Sequence, residues 1–185
     1  MDALSTPVPS VARLLQLGGA STSKCNPIDW PAVQRRLGTV LPVDYRELAE
    51  FGAARAGDFL GVFVPGSTNP NLDLFVAVGS MLGALHDLKR EQGTRACPYP
   101  LWFEPTGLLP WGCSDNGDGL YWLTRGHPDQ WTVVIGEARG PKYEEFPLSM
   151  SEFLAGFVSG EITTTVFPRN VCSAPAVALI EPRAR

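Results

Sequence analysis

Apolar positions recur at helical spacing through the first half of the chain and at a period of two through much of the second. Val11, Leu14, Leu15 and Leu17 predict one short helix, stopped by Gly18-Gly19, and the Ser/Thr-rich stretch Ala20 to Lys24 reads as a loop. Asp29-Trp30-Pro31 is a helix start, a capping carboxylate followed by proline where a missing N–H costs nothing. That helix is expected to run to Leu37 and end at Gly38. Another begins at Leu41-Pro42, with Tyr45, Leu48 and Phe51 on one face and Glu47 and Glu50 off it, and closes at Gly52. Both are short, so they need a surface to dock on. Phe59 to Val64 is an apolar run ended by Pro65-Gly66, which predicts a buried strand and a turn. From Asn71 to about Gln92, Leu74, Phe75, Val78, Met81, Leu82 and Leu85 fall on one helical face. Lys89 and Arg90 suit the helix dipole in its last turn. Gly79 and Gly83 either weaken this helix or allow it to approach the sheet closely.

After a Pro-rich connection from Gly93 to Gly107 the period changes. Leu108 to Cys113, Leu120 to Arg125, Trp131 to Gly136 and Tyr143 to Phe146 read as four strands of an antiparallel meander. Asn116-Gly117, Asp118-Gly119, the Pro-Asp of the Gly126 to Gln130 segment and Gly140-Pro141 supply its turns. Trp131, Val133 and Ile135 share a face. The second strand is apolar on both faces (Leu120 and Trp122 against Tyr121 and Leu123), which places it inside the sheet. Ser149-Met150-Ser151-Glu152 is a capping box. It opens a helix whose Met150, Phe153, Leu154, Phe157 and Val158 form a stripe that must cover one sheet face, with Gly160 at its end. The fold class is therefore α+β, a twisted, mainly antiparallel sheet packed against helices. Residues 1–27 form an N-terminal helix and loop, residues 28–162 the domain, and residues 163–185 a C-terminal tail.

With 185 residues, 44% hydrophobic and 18% charged, the chain can bury a real core. No stretch approaches the roughly 18 apolar residues of a membrane span. Met1 to Ser10 has neither the basic nor the apolar region of a signal peptide, so a cytoplasmic location is expected. Cys25, Cys97, Cys113 and Cys172 have no C-x-x-C spacing and read as four reduced thiols in or near the core.

The net charge of −4 argues against a general nucleic-acid binder. Nine acidic and three basic side chains lie between Glu104 and Glu161, whereas the rest of the chain holds ten acidic and twelve basic. A clustered negative field steers cationic partners; a solvated surface without a partner is the plainer reading of the same charge. Enzyme and metal readings find little support. Cys113 with His127, Asp115 or Asp129 lacks the local context of a thiol hydrolase. Asp115 to Gly119 lacks the spacing and distal glutamate of a calcium loop. The two histidines, His86 and His127, give no zinc pattern. A paired-carboxylate hydrolase would need Asp118 to converge with Glu144-Glu145.

Four segments in order resemble the SUKH superfamily. Leu41 to Gly52 (LPVDYRELAEFG) is similar to its Leu-Pro-x-x-Tyr helix ending in an aromatic-Gly pair. Leu108 to Leu123 (LLPWGCSDNGDGLYWL) resembles its Leu-Pro-Phe-Gly, Gly-Asp, Tyr-Trp-Leu motif. Pro128 to Ile135 and Tyr143 to Leu154 resemble the following strand and the closing acidic-aromatic strand and Phe-Leu helix. The longer tail and the Pro-rich insertion near Cys97 to Pro105 depart from the pattern. The resemblance implies an α+β fold and a non-catalytic, protein-binding role. Bacterial members are commonly immunity proteins that block a cognate toxin, often a nuclease, and fungal members regulate cell-wall synthesis through partners. It implies no catalytic residues, cofactor or metal. The expected partner is a toxin domain with a basic surface, without direct nucleic-acid or membrane contact, and the chain itself a monomer or weak homodimer. Candidate contacts are Asp115, Asp118, Asp129, Glu137, Glu144 and Glu145, with Tyr121, Trp122 and Tyr143 as candidate aromatic anchors. Trp111, Trp122 and Trp131 are also natural core residues. A regulatory scaffold domain and an enzyme of unassigned hydrolytic chemistry are the alternative functions.

Overall fold

Asp29 starts its helix as the sequence predicts: its carboxylate accepts the Ala32 N–H at 3.0 Å in the computed structural model, which describes residues 8–18, 27–168, 171 and 177–179. Five α-helices are described: α1 (Pro9–Leu17), α2 (Trp30–Leu37), α3 (Val43–Glu50), α4 (Leu74–Gln92) and α5 (Met150–Val158). The strands are β1 (Ala53–Ala56), β2 (Leu60–Val62), β3 (Leu108–Ser114), β4 (Gly119–Leu123), β5 (Thr132–Gly136), β6 (Tyr143–Phe146) and β7 (Val177–Leu179). They form one sheet in the order β6-β5-β4-β3-β2-β1-β7 with every neighbouring pair antiparallel. The class is α+β, and the meander of the second half is β3 to β6. The loop at Ala20 to Lys24, Cys25 and Cys172 lie outside the described residues, as does most of the C-terminal stretch. Within that stretch Val177–Leu179 pairs with β1.

One face of the sheet is covered by the stripe of α5. Register sets Leu120 and Trp122 beside Ile135 and Val133, and these beside Glu144 and Phe146, all on that face. Phe153 packs on Trp111 and Phe146 at ring-centre distances of 6.4 and 5.1 Å, and Trp122 meets Tyr45 of α3 edge-on at 5.0 Å. Trp111 and Trp122 are fully buried, which confirms them as core. Tyr45 is buried with them and donates its hydroxyl to the Phe63 carbonyl at 2.7 Å. The opposite face carries Tyr121, Val134 and Cys113 and packs against α4. Gly79 and Gly83 do not approach the sheet: both are exposed, with open space where a side chain would stand.

Helix α5 is buried except at Glu152, and its buried residues include Ser151, Ala155 and Gly156 off the apolar stripe. α1 supplies the missing cover, and the Ser10 and Ser151 hydroxyls meet at 2.6 Å. The capping box at Ser149 and Glu152 forms as expected. Beneath it lies Asp44, itself buried. One carboxylate oxygen accepts the Tyr45 N–H, and the other accepts both the Ser151 N–H and hydroxyl at 2.9 and 2.8 Å.

Two outcomes follow. Gly79→Ala and Gly83→Ala each remove backbone freedom from an open helical site, so each raises unfolding free energy by roughly 0.5–1 kcal/mol in urea titrations. Asp44→Ala strands buried donors of Tyr45 and Ser151 and lowers it by about 2–4 kcal/mol, with Asp44→Asn costing less.

Candidate partner-binding surface

The register of the meander separates the candidate acidic residues. At one end, where Cys113, Gly119, Gly136 and Tyr143 line up, the turns after β3 and β5 bring Asp115, Asp118 and Glu137 around a polar cleft of about 460 Å³ that Arg139 also lines. Asp129 and Glu145 lie toward the other end, where Leu108, Leu123 and Thr132 line up.

Several candidates are structural. Asp118 is buried; it accepts the Ser114 hydroxyl at 2.7 Å and the Ala138 N–H at 3.1 Å, and so fastens the two turns together. Asp115 pairs with Arg55 at 2.9 Å. Asp129 caps a helix distant in sequence, accepting the Val43 N–H at 2.7 Å, with the His127 ring 3.5 Å away. Glu144 and Glu145 point to opposite faces, so no paired-carboxylate centre forms with Asp118. Glu145 stays exposed beside Arg125 at 3.4 Å.

Two of the three proposed aromatic anchors lie inside. Trp122 is fully buried and Tyr121 is buried too, because β4 is covered on both faces. Gly119 and Gly136 sit directly opposite one another in the sheet. A Cβ on Gly119 would collide with the Tyr121 ring, and one on Gly136 would stand 2.6 Å from Tyr143 Cε1. The glycine pair therefore makes a floor on which both rings lie. Burial pushes the hydroxyls of Tyr121 and Tyr143 well above the ordinary phenol range, and for Tyr143 the contact with Cys97 adds to it. Tyr143 is half-buried and packs against Tyr99 at 5.6 Å.

The sequence reading missed the most exposed aromatic side chain. Phe103 is 78% exposed, at the tip of the loop from Pro100 to Leu108. Phe103 and Thr106 are the non-glycine residues with positive φ among the described residues, at 75° and 58°. The loop is closed by Leu108 N–H to Pro100 O, Trp102 N–H to Leu108 O, Gly107 N–H to Glu104 O and Leu101 N–H to the Glu104 carboxylate. A side chain at Gly107 would strike the Leu101 backbone. Beneath Phe103, Trp102 packs on Trp131 at 6.1 Å, and Trp131 on Trp122 at 6.0 Å. The signal available in sequence was Gly107 after Trp102-Phe103, a tight turn carrying two aromatics.

Burial pushes the Cys113 thiol up and Asp115 adds to this, with Arg55 opposing. That is the reverse of an activated nucleophile. Among the described residues no group of three or more His, Cys, Asp or Glu side chains is placed to hold a metal ion, and no helix is long and apolar enough to cross a membrane. Comparison with protein-family models, with curated proteins and with solved structures finds no match to this chain.

Burial pushes the Glu144 carboxyl up, but hydrogen bonds from Thr164 and Thr165, aided by Lys142, outweigh it and hold the group below the ordinary glutamate range. A depressed folded-state pKa contributes stability above the unfolded value near 4.5 and loses it as pH falls through the folded one. Glu144→Gln is therefore expected to lower the urea midpoint at neutral pH, the gap to wild type closing in acid below about pH 4.5.

Proposed function

We propose that this chain is a non-catalytic protein-binding module of the SUKH type, an immunity protein that acts in the cytoplasm by binding and neutralising a toxin domain with a basic surface. The observation that carries this reading is Phe103, a large apolar side chain held out in solvent on a braced loop. A bulky residue at positive φ is strained, and such strain persists where the surroundings enforce it, commonly at functional sites. Preorganised aromatic side chains are favoured interface anchors because little rotamer freedom is lost on binding. Glu104 lies beside Phe103 in the chain and Asp129 lies toward the same end of the sheet, which suits a basic partner, whereas the charge of Glu145 is offset by Arg125. The four motif segments support the reading independently, as does the acidic excess from Glu104 to Glu161.

Co-expression with the C-terminal domain of the neighbouring gene's product should yield a 1:1 complex on size exclusion that weakens at high salt. Phe103→Ala is expected to weaken it by roughly tenfold or more without lowering thermal stability. Glu145→Lys weakens it mainly at low salt. Toxicity unchanged by this chain, together with no complex, would remove the immunity reading.

A further inference from the structure

Among the described residues, four buried side-chain nitrogens lack a hydrogen-bond partner: the indole nitrogens of Trp102, Trp111 and Trp122, and Nε of Arg46. An indole N–H within packed rings is a modest deficit, whereas the unpaired Nε–H belongs to a charged guanidinium whose two terminal nitrogens are not among these buried atoms. Arg46 is half-buried and has no hydrogen bond or ion pair from its side chain among the described residues. Its neighbours on α3 are acidic, yet all three are engaged elsewhere. Asp44 holds Ser151, Glu47 accepts the Val8 N–H at 2.7 Å, and Glu50 accepts the Trp30 indole N–H at 2.7 Å. Of the other arginines, Arg13, Arg55, Arg90 and Arg125 pair with carboxylates, Arg36 lies 3.9 Å from the Phe75 ring centre, and Arg35, Arg95 and Arg139 are exposed to water.

Arg46 lines a cleft of about 200 Å³ between α2 and the start of α3, whose other walls include Trp30, Pro31, Val33, Val40 and Leu41. No acidic side chain lines it. Trp30 is a fixed wall, held by its bond to Glu50 and by edge contact with Tyr45 at 6.1 Å. The geometry points to a binding site for a single carboxylate carrying a flat apolar group, with Arg46 taking the carboxylate and the Trp30 side taking the apolar part. A guanidinium presents a planar fork of donors that matches a carboxylate in two-point contact. The volume falls below the range of about 300–1,000 Å³ typical of small-molecule pockets, which limits the occupant to the size of one amino acid. The carboxylate is either that of a free acid or chain end, or that of an acidic side chain within a peptide. The site is independent of the Phe103 surface and of the toxin-binding reading.

The test is an NMR titration of the full chain carrying isotope-labelled arginine, following the Arg46 Nε–H signal. The signal is identified by its loss in Arg46→Lys, or by triple-resonance assignment of the native protein if that variant does not fold. The probes are N-acetylphenylalanine, its carboxamide, and a blocked peptide amide in which glutamate adjoins phenylalanine, each against matched sodium chloride. N-acetylphenylalanine should shift the signal saturably, and the carboxamide should bind on the order of tenfold more weakly or worse. Tighter binding of the blocked glutamate peptide assigns the site to a partner's acidic side chain, and weaker binding assigns it to a free acid or chain end. No saturable shift with either carboxylate, or equal binding of the carboxamide, overturns the proposal.

Discussion

The helical layer depends on how its positive ends are neutralised. α1, α3 and α5 all begin at one cleft of about 330 Å³ lined by Pro9, Val43, Asp44, Ser149 and Glu152 among others. Helix N-termini carry partial positive charge and unsatisfied N–H groups, so three of them together would repel and remain unpaired. Four carboxylates prevent this. Glu47 takes the Val8 N–H ahead of α1, Asp129 takes Val43 N–H at the start of α3, Glu152 takes Ser149 N–H, and Asp44 takes Ser151 N–H and its hydroxyl. Asp44 is the buried member and joins residues 107 apart in sequence. With α3 and α5 fixed to each other, Tyr45 and Phe153 are delivered together onto Trp122 and Trp111.

The other sheet face is shaped by an absence of side chains. The opposed Gly119 and Gly136 let the Tyr121 and Tyr143 rings lie across the strands, and Tyr99 packs on Tyr143 in turn. Lys89 of α4 donates to the Tyr99 carbonyl at 2.6 Å, and the buried Leu101 follows two residues later. The connection from α4 to β3 is thus pinned to the core shortly before it turns outward. Phe103 is consequently presented by a braced loop.

Legibility in the sequence tracked how local each signal was. The four meander strands, the α2 and α5 caps and the α5 stripe rest on neighbours in sequence, and each was readable. β1 was not, since Ala53-Ala54-Arg55-Ala56 has no apolar alternation and becomes a strand only by pairing with β2 and β7. The candidate site was less legible. Acidic residues near turns were recognisable, but what engages them lies far along the chain: Asp129 serves Val43, and Asp115 serves Arg55. Tyr121 and Trp122 looked equally suited to core or surface until both faces of β4 were seen to be covered. Phe103 carried no period at all, because its exposure results from positive φ in a closed turn.

The acidic excess itself has to be divided by what each carboxylate does. Of the nine acidic residues between Glu104 and Glu161, Asp115, Glu145 and Glu161 are paired with arginines, so their charge is locally cancelled. Glu104, Asp118, Asp129, Glu144 and Glu152 accept hydrogen bonds from backbone N–H groups or hydroxyls. Such donors fix a carboxylate in place but leave its full negative charge. The long-range field therefore survives folding and can still accelerate encounter with a basic surface. The same carboxylates have fewer free lone pairs to offer at contact, and reorganising Asp118 or Asp129 would loosen a turn or a helix start. In the proposed binding role, steering would therefore fall to acidic residues already engaged within the fold, and the contact energy to the exposed aromatic loop.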